Sequence, residues 1–146
     1  MQMDSFQLIR QSFIEVVKNS IAKEPQDSIL PLKKGYLTRI DTLDSESKTM
    51  QDVVFLLFDK PFLRIVCEDF LGDDDPDDQA LEDMAKELTN LIVGHAKVLA
   101  QEAGEKAFNI SLPEYLGIKL IKNYNKGLHF KLGQGHCGIY IRNSHA

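Results

Sequence analysis

Residues 77 to 103 constrain the fold more than any other part of the chain. Leu81, Met84, Ala85, Leu88, Ile92, Ala96 and Leu99 recur at spacings of three and four, which makes one continuous apolar stripe on a long helix. A stripe of that length has to be buried against another layer, so the rest of the chain must supply a platform for it. The acidic run "DDDPDD" just ahead suits the positive end of the helix dipole.

The platform is legible as strands. "YLTRIDTL" and "QDVVFLLFDK" are rich in β-branched and aromatic residues and flank the polar "DSESK", which predicts two neighbouring strands. After Gly104 come short apolar runs broken by Gly, Asn and Pro, with "NKG" and "GQGHCG" expected as turns between consecutive antiparallel strands. Two further helices are expected. Residues 4 to about 20 carry Phe6, Ile9, Phe13, Val16 and Val17 on one stripe, with Asp4 or Ser5 as N-cap. "PFLRIVCEDFLG" places Phe62, Val66 and Phe70 four apart, and likewise Leu63 and Cys67, with Pro61 in the first turn and Gly72 past the end. "KEPQDSILPLKKG" reads as a connection. The expected class is α+β, an antiparallel or mixed sheet with two or three helices on one face, formed by residues 1–146 as one domain.

Composition limits the functions open to such a domain. The chain holds 43% hydrophobic residues, enough for a real core, and its formal net charge of −5 opposes binding nucleic acid through a general phosphate-attracting surface. No run approaches the roughly 20 apolar residues of a membrane span, and "MQMDSFQLIR" lacks the layout of a secretory signal. Two cysteines, Cys67 and Cys137, fit a reducing compartment better than a disulfide framework, so a cytoplasmic location is expected.

The long helix carries a second line. Turning 100° per residue from Leu88 puts Asp83, Glu87, Asn90 and Gly94 within a sector of about 60° away from the buried stripe. A polar line opposite a core stripe is ordinarily solvated surface. Gly94 is unusual there, because glycine in an exposed helix costs roughly 1 kcal/mol relative to alanine, and a bare backbone would let another molecule come close.

"DMAKELTN", followed by 22 residues and then Pro113 in "ISLPEYLG", resembles the Asp/Ser-x-x-x-Glu-x-x-Asn-x(22)-Pro pattern of the CheC/CheX/FliY chemotaxis phosphatases. Asp83, Glu87, Asn90 and Pro113 fall on its positions, and the likeness of element order extends over roughly residues 35 to 142. It implies removal of the phosphoryl group from the aspartate of a CheY-type response regulator. An acyl phosphate is already reactive, and its loose transition state asks mainly for an in-line water and charge compensation. Asn90 would position the water, since an amide accepts one hydrogen bond and donates another without titrating near pH 7. Glu87 would pair with the regulator's active-site lysine, and Asp83 and Gly94 would line the contact. The regulator would bring both the acceptor aspartate and Mg2+, leaving no cofactor and no metal site on this chain. Pro113 is expected to set the start of the following strand near the site. The single motif copy looks more like CheX than CheC and implies a homodimer, expected through the apolar segment from 116 to 142. A non-catalytic module of the same fold, docking a regulator or flagellar-switch component, and a ligand-sensing domain remain as alternatives.

Other features read blandly. "DDDPDD" lacks the alternating donors, central glycine and distal glutamate of a calcium loop. His129, His136, Cys137 and His145 offer no compact zinc pair. "GQGHCG" lacks the ending and setting of a phosphate loop. His95 is expected at the core edge, and Cys137 as a buried strand residue.

Overall fold

Val53 through Phe58 is apolar at both parities, so a strand formed there has to be covered on both faces. In the computed structural model, which describes residues 5–105 and 108–143, this segment is the buried centre of a sheet. Asp4, His145 and the Ser5 side chain lie outside the described residues, and the N-cap expected at Asp4 or Ser5 with them.

The elements run α1 (Ser5–Ile21), β1 (Gln26–Asp27), β2 (Lys34–Asp44), β3 (Met50–Phe58), α2 (Lys60–Leu71), α3 (Asp78–Glu102), β4 (Phe108–Ile110), β5 (Glu114–Leu120), β6 (Lys126–Leu132) and β7 (Gly135–Asn143). Every strand pairing among them is antiparallel, in the order β1-β6-β7-β3-β2-β4, with β5 also paired to β2. The fold is α+β. One face of the sheet, through Ile40, Val54, Leu56, Phe58 and Ile139, packs on Phe13, Phe62 and the Leu81, Leu88, Ile92 stripe of the helices. The other parity of β3, Val53, Phe55 and Leu57, joins Leu37, Ile121 and Tyr140 in a smaller cluster under Leu32 and Tyr124.

Several expectations are corrected. β5 does not follow the hairpin order: it leaves β6 and pairs with β2, because the eleven residues of β2 are long enough to hold β4 along 42–44 and β5 along 34–39. The "NKG" segment is therefore no turn, and Lys126 and Gly127 pair with Ile141 and Tyr140 of β7. Of "GQGHCG" only Gly133 and Gln134 turn, joining β6 to β7; Gly135 to Gly138 belong to β7 and pair with Leu132 to His129 of β6. Within the supposed connection, Gln26 and Asp27 pair with Lys131 and Phe130, and Arg10 of α1 grips the Asp27 carboxylate at 2.7 Å. Phe70 lies outside the core, 44% exposed. A row of every fourth residue turns 40° per step, so two steps from Phe62 carry Phe70 about 80° round the helix.

The helix ends are held locally. The Asp59 carboxylate accepts the Phe62 N–H at 2.9 Å as N-cap of α2 and also the His136 N–H at 2.9 Å, tying that helix to β7. Gly72 closes α2 in the left-handed region, φ 71°, where glycine carries no steric penalty. Asp77 caps α3 through the Ala80 N–H at 2.8 Å, so one acid of the linker has a defined structural task.

Two buried polar contacts set the rotation of α3. Thr89 donates to the Ala85 carbonyl at 2.8 Å, which leaves its oxygen to accept from Thr38 of β2 at 2.5 Å. Ser12 of α1 donates to the Ile92 carbonyl at 2.5 Å. Each side chain is fully buried, so another rotation of α3 would strand polar groups in the core.

His95 sits half-buried with Nε2 2.6 Å from Glu15 of α1, at the core edge as expected. The hydrogen bond to His95 holds the Glu15 carboxyl below its ordinary 4.5, against a smaller opposing effect of burial. A carboxyl lowered on folding adds stability above about 4.5, and that stability is lost as pH falls through the folded value. Glu15→Gln is thus expected to be less stable than the parent at neutral pH. The gap should close below about pH 4.5 when urea midpoints are compared; a constant gap would show that the pair is not linked to folding.

Candidate functional site

Because Thr89 faces the sheet, its neighbour Asn90 and the preceding-turn Glu87 point outward, and both are exposed. They are one helical turn apart, about 5 Å of rise. Among the described residues neither side chain makes a hydrogen bond or ion pair, so both are free to meet another molecule. Asp83, one turn earlier, is engaged: it accepts from Gln79 at 3.0 Å and lies 3.9 Å from Lys86.

The facing wall comes from the break between β4 and β5. Ser111 is fixed to β2 twice, its N–H donating to the Asp41 carbonyl and its Oγ accepting the Asp41 N–H, each at 2.9 Å. With that residue fixed, Leu112 projects into solvent, 88% exposed, and Pro113 directly precedes β5. Asp83, Lys86, Glu87, Asn90, Leu112 and Pro113 line one open groove. The structure therefore gathers three of the residues expected at a site, Asp83, Glu87 and Asn90, together with Pro113, across 30 positions of sequence. Leu112 and Lys86 were not expected there; an exposed leucine between Ser and Pro gave no sign beyond its position next to Pro113.

Gly94 stands apart from this groove. It is half-buried under Ile110, whose Cδ1 would lie 4.0 Å from an added Cβ, an ordinary contact. Space therefore does not demand glycine at this position.

Burial pushes the Cys137 thiol well above its ordinary range, and burial first and Asp73 second raise that of Cys67. Both cysteines are buried and free. No three His, Cys, Asp or Glu side chains among the described residues converge as a metal-binding set. The described helices include none long and apolar enough to cross a membrane.

The shape of the fold is that of chemotaxis proteins. A CheX from Vibrio vulnificus superposes with a TM-score of 0.78 at 18% identity, covering 96% of this chain and 99% of its own. A CheC-like protein from a Shewanella species gives 0.71 at 21% identity, covering 98% and 100%. The CheX–CheY–BeF3–Mg2+ complex from Borrelia burgdorferi gives 0.69 at 16% identity, covering 97% and 100%. No curated protein matches the chain in sequence. The family described as chemotaxis phosphatase CheX matches residues 47–130, a segment that includes the whole groove. The chain belongs to the CheX family.

Proposed function

We propose that this protein hydrolyses the aspartyl phosphate of a CheY-type response regulator. The observation that carries this reading is the pair Glu87 and Asn90, unpaired and exposed on one edge of α3, facing Pro113 inside the segment that matches the family. An edge rather than a cleft suits a substrate that is itself a folded protein with its own active site. The Asn90 amide oxygen accepts a hydrogen from the attacking water, and its NH2 group donates toward the phosphoryl oxygens. Water oxygen bonds to phosphorus as the bond from phosphorus to the aspartate oxygen breaks. The aspartate leaves as carboxylate and the water's proton passes to phosphate or solvent. Glu87 pairs with the regulator's lysine and fixes the helix over the phosphoryl group. Asp83 lines the rim of the contact. The regulator brings Mg2+, as the magnesium-containing CheX–CheY complex supports by analogy, and this reading puts both proteins in the cytoplasm.

The test is loss of phosphate from a CheY-type regulator, phosphorylated with acetyl phosphate in Mg2+, with and without this protein. Acceleration is expected, while p-nitrophenyl phosphate should remain untouched because the lysine and metal belong to the partner. Robust hydrolysis of that small ester by this chain alone would defeat the scheme.

Self-association belongs to the same reading. β5 pairs with β2, and the apolar Ile118 and Leu120 of β5 are 56% and 55% exposed. Among the described residues β5 pairs with β2 alone, and a strand edge left open in that way is a template for another strand. A homodimer is expected, with light scattering giving twice the 16.5 kDa chain mass and Ile118→Asp giving a monomer. A monomeric parent at tens of micromolar would count against it.

A further inference from the structure

Next to the groove, on the opposite side of Glu87 from Leu112, lies a second notch. Phe70 and Leu71 at the end of α2 and Ala80, Asp83, Met84 and Glu87 of α3 line it, so the two depressions share Asp83 and Glu87 and form one continuous surface. Phe70 and Leu71 are 44% and 61% exposed, over a Met84 that is buried. The helix end that carries them is fixed: the Gly72 N–H donates to the Glu68 carbonyl at 2.9 Å, the Asp73 N–H donates to the Cys67 carbonyl at 3.1 Å, and Lys23 pairs with Asp69 at 2.6 Å. Two adjacent apolar side chains exposed on a capped helix end, next to a polar pair, form an apolar patch of the kind that contacts a partner.

Charge identifies the occupant. Five acids lie between residues 73 and 78, and Glu82, Asp83 and Glu87 follow on α3, against Lys86. A second copy meeting this face with its own would set acids against acids, which repels, and the apolar edge at β5 lies elsewhere in the sheet. We propose that the notch of Phe70, Leu71 and Met84 is the specificity-determining part of the regulator's footprint, taking an apolar side chain that is rimmed by basic groups next to the regulator's active-site lysine. Phe70 and Leu71 on one flank and Leu112 on the other then shut water away from the Glu87 ion pair, the arrangement in which apolar surroundings strengthen a central polar contact. The inference rests on the phosphatase reading above and adds the partner's chemistry to it.

Steady-state dephosphorylation of the acetyl phosphate-treated regulator tests it. The double variant F70A/L71A is expected to raise KM by about 10-fold or more, the loss of one well-packed anchor, with kcat within about twofold. Rising salt should lower kcat/KM for the parent, since acidic rim and basic partner attract through water. Should F70A/L71A lose its cooperative melt, Leu71→Lys changes only the more exposed side chain and sets a positive charge against the basic rim; KM should again rise at least as far. An active parent with KM unchanged in these variants overturns this inference alone, as does a loss of dimer mass in F70A/L71A. A parent that does not dephosphorylate the regulator overturns the phosphatase reading and this inference with it.

Discussion

Asn90→Ala is expected to slow dephosphorylation at saturating regulator by about 10²–10³-fold, the loss typical of one transition-state donor. The side chain is exposed and bonds to nothing among the described residues, so thermal stability should stay within about 0.5 kcal/mol of the parent. The regulator should still bind. Glu87→Ala should behave differently, raising KM or lowering rate and affinity together, because its proposed work is to engage the regulator's lysine. Single-turnover and steady-state rates on the phosphorylated regulator separate the two. If Asn90→Ala is as fast as the parent at saturation, the amide is not catalytic and a non-catalytic regulator-docking module becomes the better reading.

The largest effect on stability is expected at Gly135→Ala. An added Cβ would lie 2.4 Å from the Phe62 Cα and 2.5 Å from its nitrogen, backbone atoms that no rotamer change relieves. The start of β7 and the first turn of α2 cross there, joined further by Asp59. Moving a capped helix away from the sheet costs about 3 kcal/mol or more, which in a chain of this length lowers Tm by roughly 10 °C. Differential scanning calorimetry checks it; a melt within 2 °C of the parent, on the order of 0.5 kcal/mol, would show that the crossing yields easily. Because α2 also carries Phe70 and Leu71, the variant should engage the regulator less well even where it remains folded.

Much of this was legible because it is periodic or locally capped. The stripe from Leu81 to Ala96 is buried as its spacing requires, and Pro61 and Gly72 bound α2. What escaped depends on which strands meet. Gln26 and Asp27 are two polar residues with no strand pattern, made a strand by the partner edge of β6. β5 reads as the neighbour of β6 in sequence, yet joins β2 with a register shift between Leu37 and Thr38. Nothing within seven residues can encode that choice. At the site, the outward line of Asp83, Glu87 and Asn90 followed from helix geometry, whereas its companions Leu112, Phe70 and Leu71 are defined by exposure, which sequence spacing does not report.

The hidden hydroxyls of Ser12, Thr38 and Thr89 have a bearing on how such a surface changes over time. A side-chain tip about 6 Å from the helix axis moves about 2 Å when the helix turns by 20°, and a misplacement of about 1 Å costs about a hundredfold in rate. Aim is therefore set from inside, by contacts that no partner touches. The rim at Phe70, Leu71 and Leu112 is left free to vary, so the chain could acquire a new client by surface substitution alone while its amide keeps the same bearing.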